Sequence, residues 1–213
     1  MDELELLKKD WGKGNKKFPK LSYDEIYKMI LKKSSSIVKW IFIISLLEFA
    51  FWTLISFFLK DSESMERFNQ YDADAVIIPL MVIAYIILAY FFYLFFKNYK
   101  TISATDNAKV LMENILKTRK TVKQYVAFNL IYLVISTIVV LFLEFDRDQQ
   151  VIDQVNQAAA NGEAFKFYAS IITATILLLI VFIGILLLFY WLVYGILLKR
   201  LNSNYKELKK LEV

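Results

Sequence analysis

The chain has 213 residues, 58% of them hydrophobic, with 26 basic against 21 acidic side chains and neither cysteine nor histidine. Without cysteine there is no disulfide, thiolate metal site or thiol nucleophile, and without histidine the usual zinc or iron ligand and the commonest general base near neutral pH are gone. The net charge of +5 suits basic segments beside anionic lipid better than a nucleic-acid face, because the cations are scattered among separate connectors.

Residues 1–36 are polar. Leu4, Leu7 and Trp11 fall on one face of a short helix, Lys8 and Lys9 flank that face, and Gly12 to Asn15 form a break. The segment is a candidate contact for lipid or for a cytoplasmic protein partner. Ser22 and Glu25 have the spacing of a capping box, and Ile26, Met29 and Ile30 then make an apolar stripe that leads into the first of four long apolar runs.

The runs are residues 37–59, 75–96, 122–143 and 167–198. Each exceeds the roughly 20 helical residues needed to cross a hydrocarbon core about 30 Å thick. Once Lys123 is counted with the connector before it, Lys39 and Glu48 are the charges they contain. The segment before the first run is too polar and too long for a cleavable signal, so that run is expected to stay as an anchor. Pro79 falls in the first turns of the second run, where a missing amide hydrogen is tolerated, and reads as a helix start. The second run also carries Tyr85, Tyr90, Phe91, Phe92 and Tyr93, better explained by packing and lipid contact than by a pocket for a flat ligand. The fourth run, about 48 Å long as a helix, must tilt or project. Its Ser170, Thr173, Ala174 and Gly184 favour close helix contact. Trp40, Tyr190, Trp191 and Tyr194 lie near run ends and are expected at the headgroup level.

Basic against acidic residues number nine against six in residues 1–36, two against five in 60–74, seven against two in 97–123, two against five in 144–166 and five against two in 199–213. The excess changes sign at every crossing. Basic residues are retained on the cytoplasmic side, so both termini and the connector 97–121 are expected inside and two short acidic loops outside. Leu111, Ile115 and Val122, and then Leu201, Tyr205 and Leu208, continue the helical stripe in the inner segments. A shift of 85 residues superposes Ile30 on Ile115, Ser36 on Thr121, Trp40 on Tyr125 and Asp61 on Asp146, a weak sign of two parallel units.

Glu48 is eleven residues from each end of its run, near the bilayer midplane, where a carboxylate costs several kcal/mol unless it is neutral, paired or near water. Ser45, Trp52 and Ser56 share its helix face, whereas Lys39 points away. In the third run Tyr125, Asn129, Tyr132 and Ser136 form a polar stripe at matching depth, and Tyr85 sits mid-way along the second. Glu48, Ser45, Tyr85, Asn129, Tyr132 and Ser136 are the candidate intramembrane cluster. It serves either as adhesion, with Glu48 and Asn129 satisfying each other, or as a proton, cation or ligand site. No phosphate loop, metalloprotease motif or nucleophile elbow occurs, so no catalytic residue, metal site or cofactor is expected.

The stretches MDELELLKKDW and KKSSSIVKWIFIISLLE, with the four-run layout, resemble a family of uncharacterised four-span inner-membrane proteins of Bacteroidota. Similar proteins have been labelled carotene oxygenases. That activity uses an iron held by four histidines, which a chain without histidine lacks. The expected fold is an all-α integral membrane protein, a four-transmembrane-helix bundle with cytoplasmic helical extensions, both termini cytoplasmic, in a bacterial inner membrane. Its parts are an N-terminal segment 1–36, a membrane domain 37–198 and a basic tail 199–213. The expected function is a non-enzymatic regulatory or scaffolding partner acting through its cytoplasmic helices, with membrane lipids, a cytoplasmic protein and a second copy as candidate partners and no nucleic acid. The alternative is a small transporter or channel with a proton or cation site at Glu48.

Overall fold

A computed structural model describes residues 21–62, 66, 72–105 and 107–211. They form five helices: α1 (Tyr23–Leu59), α2 (Asp74–Ser103), α3 (Ala108–Arg147), α4 (Gln149–Ala160) and α5 (Ala164–Leu211). All except α4 are long and apolar enough to cross a membrane. The segment with Leu4, Leu7, Lys8, Lys9 and Trp11 lies outside the described residues.

Each boundary has a local cause. The Ser22 hydroxyl accepts from the Glu25 amide at 3.3 Å and the Glu25 carboxylate accepts from the Ser22 amide at 2.8 Å, a closed capping box that starts α1. These bonds hold the Glu25 carboxyl below its ordinary range, the Ser22 amide contributing most. Asn107 caps α3 through the Lys109 amide at 2.8 Å. Pro79 lies inside α2 rather than at its start, because the helix already begins at Asp74. At that depth the proline removes the donor that the Ala75 carbonyl would otherwise have.

The segment 144–166, read above as a loop, folds instead into the end of α3, α4 and the start of α5. Asp148 explains the change: its Oδ1 accepts from the Gln150 and Val151 amides at 2.8 and 3.2 Å and so starts a new helix at the first residue after α3. At this acidic end, Leu143 packs with Ala73, and the Arg147 guanidinium donates to the Asp72 carbonyl, joining α3 to the start of α2.

The core is concentrated at the opposite, basic end. Tyr27 and Ile30 of α1, Ile102 of α2, Leu111 and Ile115 of α3, and Leu201 and Leu208 of α5 pack together, each with at most 9% of its surface exposed. The apolar stripes read in the sequence face one another here. Two polar pairs cross this core: Asn98 donates to the Thr121 hydroxyl at 3.2 Å, and Asn204 donates to the Ser34 hydroxyl at 2.9 Å, so each buried amide has a partner. Ile30 and Ile115, equivalent under the 85-residue shift, occupy the same core, whereas Trp40 is 53% exposed and Tyr125 is buried. The positions matched by the shift thus agree in burial at one pair and differ at the other.

Burial fades toward the acidic end. From Ala164 to Tyr190, α5 buries Tyr190 alone, and a methyl group at Gly184 would meet nothing within 4 Å. The close contact expected from the small residues of this run is therefore not made. Truncating a packed side chain should separate the two halves. We expect Leu201→Ala to cost about 2–5 kcal/mol of stability and Leu178→Ala, at an exposed position, less than about 0.5 kcal/mol, as read from thermal unfolding in detergent.

Candidate functional site

Glu48 is the last buried residue of α1. Three phenol hydroxyls reach its carboxyl group: Tyr190 donates to Oε1 at 2.6 Å, and Tyr125 and Tyr194 each donate to Oε2 at 3.1 Å. All four side chains are buried. The donors come from α3 and from two successive turns of α5, so one carboxyl group joins three of the four long helices.

The convergence follows from helix direction. Side chains lean toward the N-terminus of their helix, so Glu48 on α1 leans toward the basic end, while Tyr190 and Tyr194 on the oppositely directed α5 lean away from it. Residues that differ in depth by backbone position thereby meet. A π turn, Trp191–Gly195, interrupts α5 at this level and carries Tyr194. Such single wide turns recur at functional sites.

This arrangement corrects two expectations. Tyr190 and Tyr194 were placed at the headgroup level, yet they are 5% and 1% exposed, because their hydroxyls have a carboxyl partner inside the bundle. Trp191, between them in sequence, does point outward, as Trp40 does. Glu48 also does not satisfy itself on Asn129. That amide lies beside the Tyr125 and Tyr190 hydroxyls instead, one step removed from the carboxyl group.

A cavity of about 320 Å³ opens beside Glu48 and runs toward the acidic end. Of the residues singled out from sequence, Glu48, Tyr85, Asn129, Tyr132 and Ser136 line it together. Ser45 does not; it is fully buried and donates to the Phe42 carbonyl of its own helix at 2.8 Å. Ser136 similarly donates to the Leu133 carbonyl at 3.0 Å, so its oxygen remains as an acceptor toward the cavity. Aromatic rings supply much of the wall. Phe49 meets Tyr85 edge-on with centroids 6.1 Å apart, and Tyr132 stacks on Phe128 at 6.0 Å. Below Glu48 the passage is closed by Ile41, Phe91, Phe95 and Val122 packed around the tyrosines. Among the described residues no three acidic side chains gather as a metal site.

The chemistry available is that of one carboxyl group with three O–H donors, an amide next to two of them, and an aromatic-walled chamber on one side. A carboxylate has about four acceptor positions, and three are filled. When Glu48 carries a proton it becomes a donor itself, and any of the three phenol oxygens can accept, since a phenol hydroxyl works in both directions. The phenol that accepts must then turn its own hydrogen elsewhere, and the Asn129 amide beside Tyr125 and Tyr190 offers an acceptor for it.

All-helical among the described residues, with four helices long and apolar enough to span a bilayer and three of them joined at one buried carboxyl group, the chain has the make-up of a multi-span membrane protein. Residues 24–213 match a family described as a domain of unknown function, DUF8845, and the chain belongs to that family. No curated protein and no solved structure matches.

The hydrogen bonds to Glu48 carry a quantitative expectation. Each of Tyr125→Phe, Tyr190→Phe and Tyr194→Phe should lower stability in detergent by roughly 0.5–3 kcal/mol, the range that spans hydrogen bonds to a neutral and to a charged group. Repeating Tyr190→Phe in a Glu48→Leu background, which removes both acceptor oxygens, should reveal a coupling of at least about 0.5 kcal/mol, whereas additive losses would mean that Tyr190 acts through packing alone.

Proposed function

We propose that this protein is a small transporter of a proton or monovalent cation in a bacterial inner membrane, with both termini cytoplasmic and Glu48 as the binding group. The supporting observation is the position of Glu48, which lines the floor of a polar and aromatic chamber while its carboxyl oxygens accept three phenol hydroxyls. An acidic group placed only for adhesion needs no chamber beside it. Intramembrane ionisable groups that face a cavity mark ion or proton paths.

The orientation comes from the alternation of charge between connectors. On that orientation the chamber extends toward the periplasm from Glu48, and the layer of Ile41, Phe91, Phe95 and Val122 separates it from the cytoplasm. A cation entering from the periplasmic side meets Tyr85, Tyr132 and Trp52, whose ring faces attract positive charge, before it reaches the carboxyl group. Asn129 then offers its carbonyl oxygen next to the phenols. Passage onward requires the Tyr190 and Tyr194 contacts to loosen, and the π turn between them supplies a wide, weakly bonded segment of α5 for that movement.

Action through the cytoplasmic helices as a regulatory scaffold fits the geometry less well. Ile30, Leu111, Ile115, Leu201 and Leu208, the apolar positions of the inner helix ends, are spent on one another. Partner contact would then fall to Leu4, Leu7 and Trp11.

Purified protein in sealed liposomes should dissipate an imposed proton, sodium or potassium gradient, read with a pH-sensitive or cation-sensitive dye. Glu48→Gln should slow that flux by at least about tenfold because it removes the charge that binds the cation. Tyr190→Phe should give an intermediate rate. Absence of flux under all three gradients, from protein shown to be folded and inserted, would overturn the proposal.

A further inference from the structure

At the basic end a second concavity, about 730 Å³, lies between α1 and α5. Lys32 and Lys33 of α1 and Arg200 of α5 line it, with the hydroxyls of Ser36 and Ser203 and one acid, Glu207. The three cations have no carboxylate within ion-pair distance among the described residues. Lys32, Lys33 and Arg200 are all exposed, whereas the floor is fixed by the buried bond from Asn204 to Ser34. Three cations around one hollow, with Glu207 as the one acid lining it among the described residues and no ion pair to any of them, repel each other, and a bound anion relieves that repulsion.

The depth of the groove is informative. The apolar runs end at Ile37 on α1 and Leu198 on α5, and Ile37 itself lines the groove. Lys32, Lys33 and Ser36 are one to five residues beyond the first end, and Arg200 and Ser203 two to five beyond the second. At about 1.5 Å per residue they occupy a band roughly 1.5–7.5 Å outside the hydrocarbon, matching the headgroup layer, about 5–8 Å thick on each side. The exposed Trp40, three residues past Ile37, marks the same boundary.

We infer that this groove is a binding site for an anionic phosphate group, that of a lipid headgroup or of a free phosphate. Arg200 presents a planar fork that suits phosphate oxygens, Lys32 and Lys33 act as point charges, and Ser36 and Ser203 donate hydroxyl hydrogens. Ile37 provides an apolar wall on the hydrocarbon side for an acyl chain, and Met29 lies at the opposite, outer end of the groove. Glu207 at the rim opposes the anion and limits its affinity.

Two arms distinguish the sources. In the first, the full chain in nonionic detergent is mixed with dioleoylphosphatidylglycerol or dioleoylphosphatidylcholine, and retained lipid is counted by native mass spectrometry. In the second, inorganic phosphate is titrated calorimetrically. The variant Lys32→Gln/Lys33→Gln/Arg200→Gln is compared with Lys109→Gln/Lys117→Gln/Lys120→Gln, which removes as many exposed cations from α3. Loss of phosphatidylglycerol by at least about tenfold in the groove variant alone is expected for a headgroup site. The same selective loss confined to inorganic phosphate would support the free anion as the ligand. Equal losses in the two variants, or no loss in either arm, would overturn the inference, as would equal retention of the two lipids by the unaltered chain with no phosphate binding. Should the groove variant not fold, Glu207→Gln must tighten binding and Ser203→Asp must weaken it; no change in either overturns the site.

Discussion

A carboxyl group placed away from water has to be given hydrogen-bond donors, and in this protein that demand sets where the bundle is tight and where it is open. Leaving such a group unpaired in an apolar setting costs at least several kcal/mol, so its partners are among the least replaceable contacts in the molecule. Glu48 is the last buried residue of α1, Tyr190 is the first of α5, and Tyr125 closes the main buried series of α3. Packing on three helices thus ends at one level, the level of this carboxyl group. Toward the basic end lie two contiguous cores; toward the acidic end the helices diverge around a chamber and touch again chiefly where Ala73 meets Leu143.

Two tyrosines from one helix can serve one carboxyl group because of small displacements. Side chains four residues apart on a helix stand about 5–6 Å apart, while the two oxygens of a carboxyl group are much closer. Tyr190 and Tyr194 resolve the mismatch by taking different oxygens, with ring centroids 5.9 Å apart and planes inclined at 42°. Tyr125 then approaches Tyr194 edge-on at 6.1 Å and shares Oε2 with it. Phe91 and Phe95 of α2 pack edge-on against Tyr125, at 5.6 and 5.4 Å. The one long helix that gives no hydrogen bond to Glu48 thereby holds a donor in place through ring contacts.

The parts of this arrangement that depend on a single helix were readable in the sequence. Apolar runs and the exclusion of charge follow from local composition, and Glu48 stood out as the exception. The stripe Asn129, Tyr132, Ser136 lines the cavity because residues three and four apart necessarily share a face. The axial offset between helices was not readable. Depth counted from the end of one run says nothing about where a neighbouring helix stands, so Tyr190 and Tyr194, counted from Leu198, seemed to belong to the interface. A usable signal was present in the spacing: Tyr190 is eight residues inside its run, about 12 Å from the end, deeper than a headgroup contact requires. The α4 helix was missed for a different reason, since it is only 12 residues long within a polar connector and its start depends on the single cap at Asp148.

The division at Glu48 has a mechanical consequence. Local stability follows the density of buried contacts, so the floor of the chamber, backed by Phe95, Val122, Tyr125 and Tyr194, holds its shape while the walls formed by the exposed apolar half of α5 change spacing at little cost. Lipid chains are about as apolar as the leucines and isoleucines of that half, and they do not drive it onto the bundle. A site built this way holds its donors more firmly than its walls. Reversing the order, with a tight entrance and a loose floor, would strand the carboxyl group each time the walls moved. Placing the polar cluster at the junction of the packed and the open halves therefore reconciles burial of Glu48 with access to it.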